Sequence, residues 1–82
     1  MTKTMTFGTF VPQGWKMELA GIEDTQEKWQ ATRDVAQAAD ELGYDSIWVY
    51  DHVHNVPVPA HETMFECWTT LAALSQVTTN VR

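Results

Sequence analysis

The sequence predicts an α/β fold built from successive strand–helix units with parallel strands. Segments typical of strands and helices alternate along the chain, and this order favours right-handed crossovers between parallel strands. Long loops at residues 12–23 and 51–62 follow the strands, whereas short turns follow the helices. The apolar run at residues 47–50 ends directly in Asp51 and His52. Because chemistry in such folds lies at the carboxyl ends of the strands, this junction also predicts a site.

The first unit consists of a strand, a long loop and a helix. Residues 6–11 are rich in aromatic and β-branched side chains, and Pro12 ends this strand because it has no backbone donor. A helix is predicted over residues 24–42, where Asp24 and Glu27 have capping-box spacing. Its apolar stripe consists of Trp29, Val35, Ala36, Ala39 and Leu42.

The second unit begins after Gly43, a residue type that commonly ends helices in the left-handed conformation. Residues 47–50 are apolar throughout, which predicts a strand buried on both faces. A second helix is predicted over residues 63–78, with Thr63 and Glu66 as a further capping box. Its apolar face comprises Met64, Cys67, Trp68, Leu71, Ala72 and Leu74.

A third strand is predicted to begin at the end of the sequence. Residues 79–80 form a short break, and residues 81–82 then start a new extended segment. Three of the four tryptophans, Trp29, Trp48 and Trp68, are expected in the core.

Composition excludes several functional classes. The chain has 5 basic and 11 acidic residues and a formal net charge of −6, which argues against binding to nucleic acids or to an anionic membrane surface. No apolar run approaches the roughly 20 residues that span a bilayer, and no glycine-rich phosphate motif is present. The single cysteine, Cys67, is expected to be a packed small residue. Together with the lack of a signal-peptide pattern, it predicts a reduced, cytoplasmic protein.

Asp51 and His52 are the first candidate functional residues. Histidine exchanges protons near neutral pH, and a carboxylate can orient it or contact a ligand. Adjacent side chains at a strand end diverge, so we expect them to contact different groups. Alternatively, both satisfy backbone groups of the loop. Trp15, in the first long loop, either forms the wall of a site for a flat ligand or packs as a loop anchor.

A metal site is an alternative hypothesis. His52, His54, His61 and Glu62 lie in one loop, and a His-x-His pair at a strand end can hold a divalent ion. A catalytic metal needs further ligands, which the sequence does not identify. We therefore predict no metal, and keep a metal-dependent barrel hydrolase as the alternative.

Several stretches of the sequence match a known family. They are residues 7–14 (FGTFVPQG), 36–52 (AQAADELGYDSIWVYDH), 66–75 (ECWTTLAALS) and 79–82 (TNVR). In these stretches the chain resembles the N-terminal part of the luciferase-like flavin or deazaflavin oxidoreductases. The resemblance is to the branch that uses the deazaflavin coenzyme F420.

The resemblance implies a (β/α)8 barrel with an open site on its C-terminal face. Asp51 and His52 match an Asp-His pair that lies at the deazaflavin ring, so Asp51 would contact the ring and His52 would act as base or orienter. The implied reaction is hydride transfer between coenzyme F420 and a small organic substrate. Flavin mononucleotide (FMN) monooxygenases share the fold, so FMN is the alternative cofactor. Trp15 and His54 are then candidates for the substrate pocket.

Length sets a further expectation. A barrel of this kind needs on the order of 250 residues, so residues 1–82 are expected to be the N-terminal part of one incomplete barrel domain. We expect this segment to be inactive alone, and the full-length protein to be a homodimer. An alternative from another class is a non-catalytic α/β module that binds a partner through its second helix.

Overall fold

The computed structural model describes residues 5–52, 54–57 and 62–82. Its elements in chain order are strand β1 (Gly8–Phe10), helix α1 (Thr25–Glu41), strand β2 (Ser46–Trp48) and helix α2 (Cys67–Ser75). The predicted order of strands and helices is confirmed, although both strands and α2 are shorter than predicted. Within the described ranges no helix is both long and apolar enough to cross a membrane.

The two strands are parallel neighbours, with Thr9 opposite Ile47 at the centre of the pair. Arg82 extends the sheet at the other edge of β2. Its N–H donates to the carbonyl of Asp45 at 2.9 Å, and its carbonyl accepts from the N–H of Ile47 at 2.7 Å. Because this is the pattern of a parallel pair, Arg82 occupies the position of the predicted third strand. The spatial order of the strands therefore follows the sequence order.

The core lies between one face of the sheet and the two helices. Its buried apolar members are Val11, Ala36 and Leu74, with Trp29, Ile47, Val49 and Val77 packed around them. The predicted stripe of α1 is only partly correct, because Val35 and Leu42 are 36% and 76% exposed. Lys28 and Thr32 are buried instead. Thr32 can be buried because its hydroxyl donates to the carbonyl of Pro12 at 2.6 Å.

The opposite face of the sheet is uncovered in this chain. Phe10 is 53% exposed and Trp48 is 57% exposed. The prediction that residues 47–50 are buried on both faces is therefore wrong for this chain, because both helices pack on the same side. Trp68 was also expected in the core and is 71% exposed. It lies on the side of α2 away from the buried residues Cys67, Thr70 and Leu74.

The predicted N-cap of α1 is confirmed, whereas the predicted N-cap of α2 is wrong. Asp24 accepts from the N–H of Glu27 at 2.9 Å, as the sequence predicts. In contrast, α2 starts at Cys67, and its N-cap is Glu66, whose carboxylate accepts from the N–H of Thr69 at 2.6 Å. The segment before α2 is fixed to the first long loop, since the backbone N–H of Phe65 donates to the carbonyl of Gln13 at 2.8 Å.

The turn after α2 is held by the carboxylate of Asp40 near the end of α1. This carboxylate accepts from the N–H groups of Thr79, Asn80 and Val81 at 2.7–2.8 Å. These donors stabilise the charged form, so the pKa of Asp40 lies below its usual value. The segment that leads to Arg82 is thus fixed against the first helix.

Gln13 joins three separate segments in the interior. It is 0% exposed, and its carboxamide nitrogen donates to the carbonyls of Tyr50 and Phe65 at 2.7 Å each. Its carboxamide oxygen accepts from the N–H of Tyr50, also at 2.7 Å. The loop after β1, the end of β2 and the segment before α2 are therefore connected by one side chain.

Replacing Gln13 with alanine is expected to lower the free energy of unfolding by about 3 kcal/mol, because three backbone groups lose buried partners. Urea unfolding would show this as a lower midpoint with an unchanged slope. Gln26→Ala is the matched control, since Gln26 is exposed on α1. Equal midpoints for the two variants would contradict the assigned role of Gln13.

Candidate functional site

The candidate site lies at the carboxyl end of the two strands. Both hydrogen-bonding groups of the Tyr50 backbone are held by Gln13, and Asp51 and His52 follow this fixed residue. Both are exposed. Val49 and Tyr50 separate Trp48, the last residue of β2, from Asp51, so both side chains lie beyond the carboxyl end of that strand.

Four aromatic rings form a continuous stack at this end of the sheet. The rings of Phe10 and Tyr50 are parallel at 4.6 Å between centroids. Tyr50 contacts the ring of Trp15 at 3.9 Å with a 44° tilt. Trp15 in turn stacks on the imidazole of His52 at 4.3 Å, with only 5° between the planes. The first long loop and the end of β2 therefore meet in this aromatic stack of Phe10, Tyr50, Trp15 and His52.

The stack fixes the plane of the His52 ring and leaves its nitrogen atoms available. Within the described ranges, neither His52 nor Asp51 makes a side-chain hydrogen bond, and the two do not bond to each other. An imidazole held by one face can still exchange a proton at its edge. Asp51 supplies negative charge nearby: burial raises the pKa of the Cys67 thiol, and the charges of Asp51 and Glu66 raise it further.

His54 lies apart from the stack. Its Nδ1 atom lies 3.3 Å from the carbonyl oxygen of Asn55, and its side chain is exposed. Asn55 is buried and donates to the carbonyl of Gly14 at 2.7 Å, while the N–H of Val56 donates to the carbonyl of Trp15. Residues 54–57 therefore hold the first loop in place, and the structure does not bring His54 into the aromatic stack.

A metal centre is not assembled by the residues that the structure describes. Across residues 5–52, 54–57 and 62–82, no three histidine, cysteine or acidic side chains converge as possible ligands. His61, one member of the metal hypothesis, lies outside these ranges. His52 stacks on Trp15 while His54 faces Asn55.

The first loop is organised around the carboxylate of Glu18. It accepts from the N–H groups of Gln13, Gly14 and Lys16 at 2.7–2.9 Å. Partial burial raises the pKa of Glu18, but the backbone donors outweigh burial, and the net pKa lies below its ordinary value. Gly14 has φ of +100°, and a Cβ atom there would collide with the carbonyl of Thr63. Close packing therefore requires glycine at this position.

An open depression of about 300 Å³ lies beside the stack. It is lined by Phe10, Val11, Pro12, Trp15, Lys16, Glu18 and Tyr50. Lys16 places its Nζ atom 5.3 Å from the centre of the Trp15 ring. The indole Nε1 of Trp15 is buried and has no hydrogen-bond acceptor among the described residues. The lining of the depression is thus mainly aromatic and apolar, and its two charged residues are Lys16 and Glu18.

Three residues that shape this site were not among the candidates from the sequence. Gln13 and Glu18 act through backbone groups that are distant in the sequence or depend on the loop conformation, so no local spacing reveals them. Tyr50 was assigned to a buried strand, although it stacks between Phe10 and Trp15.

Comparison with protein families gives a match over nearly the whole chain. The profile described as luciferase-like monooxygenase matches residues 5–82. No curated protein and no solved structure matches the chain. The matched range includes both strands, both helices and every residue of the aromatic stack.

The lowered pKa of Glu18 predicts a pH-dependent contribution to stability. A carboxyl group with a lower pKa in the folded state stabilises the fold above its unfolded pKa, near 4.5, and this contribution is lost as the pH falls through the folded value. Glu18→Gln should therefore lower the urea midpoint at pH 7, and the gap to the parent should narrow below pH 4.5. Glu23→Gln, at an exposed position, is the control. A gap that stays constant down to pH 3 would refute the prediction.

Proposed function

Because the chain belongs to the luciferase-like monooxygenase family, we propose that it forms the first two strand–helix units of a (β/α)8 barrel oxidoreductase. The family is one of oxidoreductases that depend on a flavin or deazaflavin cofactor. The proposed reaction is hydride transfer between coenzyme F420 and a small organic substrate. The single observation that supports it best is the junction after β2, where His52 stacks on Trp15 beside an exposed Asp51.

The uncovered face of the sheet supports the barrel. Phe10 and Trp48 pair across the two strands on the side away from the helices, and both are more than half exposed. In a closed barrel this face is the interior, which is filled by side chains from alternate strands. The pairing of Arg82 with β2 provides the next strand position in the order that a barrel requires. Residues 1–82 are accordingly proposed as the N-terminal part of one barrel domain, without turnover of their own.

The residues at the strand ends fit a flavin-type ring. Such a ring needs a flat apolar contact and polar partners at its edge. The aromatic stack offers the first, and Asp51 and His52, whose polar atoms have no partner within the described ranges, offer the second. Asp51 would contact the polar edge of the ring. When bound, the deazaflavin supplies the group that takes up or delivers the hydride.

His52 is proposed as the base in this reaction. Its imidazole accepts the proton of a substrate hydroxyl, and the substrate carbon becomes a carbonyl carbon as its hydride leaves. In the reverse direction the imidazolium returns the proton to the oxygen. Stacking on Trp15 holds the ring in one plane, so the nitrogen that accepts the proton has a fixed direction.

FMN-dependent oxygenation of an organic substrate is the second candidate function. The family description itself names monooxygenases, and the fit of Asp51 and His52 applies to both ring systems. We further propose that the complete protein is a cytoplasmic homodimer. Such a dimer would cover apolar surface on α2, where Trp68 is 71% exposed.

A side-by-side titration distinguishes the two cofactors. We expect coenzyme F420 to bind to the longest polypeptide that contains residues 1–82, measured by the change in its fluorescence, and Asp51→Asn to weaken this binding about tenfold. FMN should not bind at the same concentrations. Binding of FMN alone would favour FMN-dependent oxygenation over hydride transfer. Binding of neither cofactor would contradict the proposal that the protein is an oxidoreductase of this kind.

His52→Ala is expected to lower kcat at least 100-fold, because it removes a base that contributes about 10²–10⁴-fold. Cofactor affinity should change much less, and far-ultraviolet circular dichroism should show the parent fold. Gln26→Ala, on the exposed side of α1, controls for substitution as such. Unchanged turnover in His52→Ala would exclude this residue from the mechanism.

A further inference from the structure

We infer that the depression beside the aromatic stack binds a small planar substrate with an anionic group, such as an aromatic carboxylate, and that Lys16 selects that charge. This inference rests on the proposed function and specifies the substrate class of the same site.

The walls of the depression are apolar and mainly aromatic. Phe10, Trp15 and Tyr50 contribute aromatic rings, and Val11 and Pro12 complete the apolar part of the lining. Aromatic side chains pack best against other flat rings, in offset or tilted arrangements. A planar ligand would therefore continue the stack that these rings already form, whereas a flexible polar ligand would find few partners.

The two charged residues of the lining are not equivalent. The carboxylate of Glu18 accepts three backbone N–H groups, from Gln13, Gly14 and Lys16. The negative charge of Glu18 is thus stabilised by the backbone of its own loop, in agreement with its lowered pKa. A ligand cation would have to compete with these fixed donors. The depression is therefore unsuited to a cationic ligand.

Lys16 is the charged group that remains available. Its side chain is exposed, its Nζ atom lies 5.3 Å from the Trp15 ring centre, and among the described residues it has no acidic partner. The backbone N–H of Lys16 is fixed by Glu18 at 2.9 Å, which anchors the base of the side chain. The ammonium group lies over the Trp15 ring, and a positive charge in this place is complementary to a ligand ring that carries a carboxylate.

The volume of the open depression is enough for a small molecule. Its volume of about 300 Å³ is at the lower end of the range for ligand pockets. One or two fused rings with a single charged substituent fill such a space. The proposed ligand class is therefore a monocyclic or bicyclic aromatic anion.

The test uses two probes of the same shape, 1-naphthoate and its neutral analogue 1-naphthamide. Binding is followed by the indole N–H resonance of Trp15, assigned by its loss in Trp15→Phe, in the longest polypeptide that contains residues 1–82. We expect a saturable shift with 1-naphthoate and at least fivefold weaker binding of 1-naphthamide. Lys16→Gln should abolish this preference, Lys16→Arg should keep it, and Lys3→Gln, which removes the same charge elsewhere in the sequence, should leave it unchanged.

Two results would overturn the inference. Equal affinity for both probes, or no saturable shift of Trp15, would show that the depression does not select an anion. Displacement of 1-naphthoate by coenzyme F420 or FMN would assign the depression to the cofactor instead of the substrate. Failure of the proposed function is a separate outcome, because neither cofactor would then bind while the preference for 1-naphthoate would persist.

Discussion

The structure depends on the buried carboxamide of Gln13. Two strands of three residues each form few ladder hydrogen bonds, so they do not by themselves fix the segments that leave the sheet. Gln13 does so from the end of β1, with bonds of 2.7 Å to Tyr50 and Phe65. A buried amide with all its groups satisfied admits one arrangement of its partners, because any shift leaves polar groups unpaired. The position of Asp51 and His52 follows from this constraint.

Buried polar side chains fix the positions of the loops in this chain, a role that apolar packing has in larger domains. The apolar cluster is small, whereas Gln13, Thr32 and Asn55 are each 0–1% exposed. Each of them bonds to a backbone carbonyl far away in the sequence. Such bonds hold long loops without secondary structure, and a site built on loops requires that rigidity. The loop after β1 can therefore present Trp15 at a fixed place.

Local signals predicted the parts of the fold that depend on neighbouring residues. Asp24 marked the start of α1, and Gly43, with φ of +84°, marked its end. The start of α2 was missed because Thr63 and Glu66 are both capable caps, and the sequence does not show that the segment before Glu66 is bonded to Gln13, 52 residues away from Phe65. The site shows the same division. The apolar run before Asp51 and His52 marked these two residues as candidates, while the stacking of Trp15 depends on contacts that no local pattern encodes.

The charges at the site divide it into two regions. The carboxylates of Glu18, Asp40 and Glu66 accept backbone N–H groups, and these donors keep their pKa values below the usual range. Within the described ranges, the side chains of Asp51 and Lys16 form no hydrogen bond or ion pair. Asp51 precedes His52 in the sequence, and Lys16 follows Trp15. A negative group thus adjoins the imidazole and a positive group adjoins the indole. A cofactor ring held at Asp51 and an anionic substrate held at Lys16 would meet at the stack, where His52 can exchange the proton.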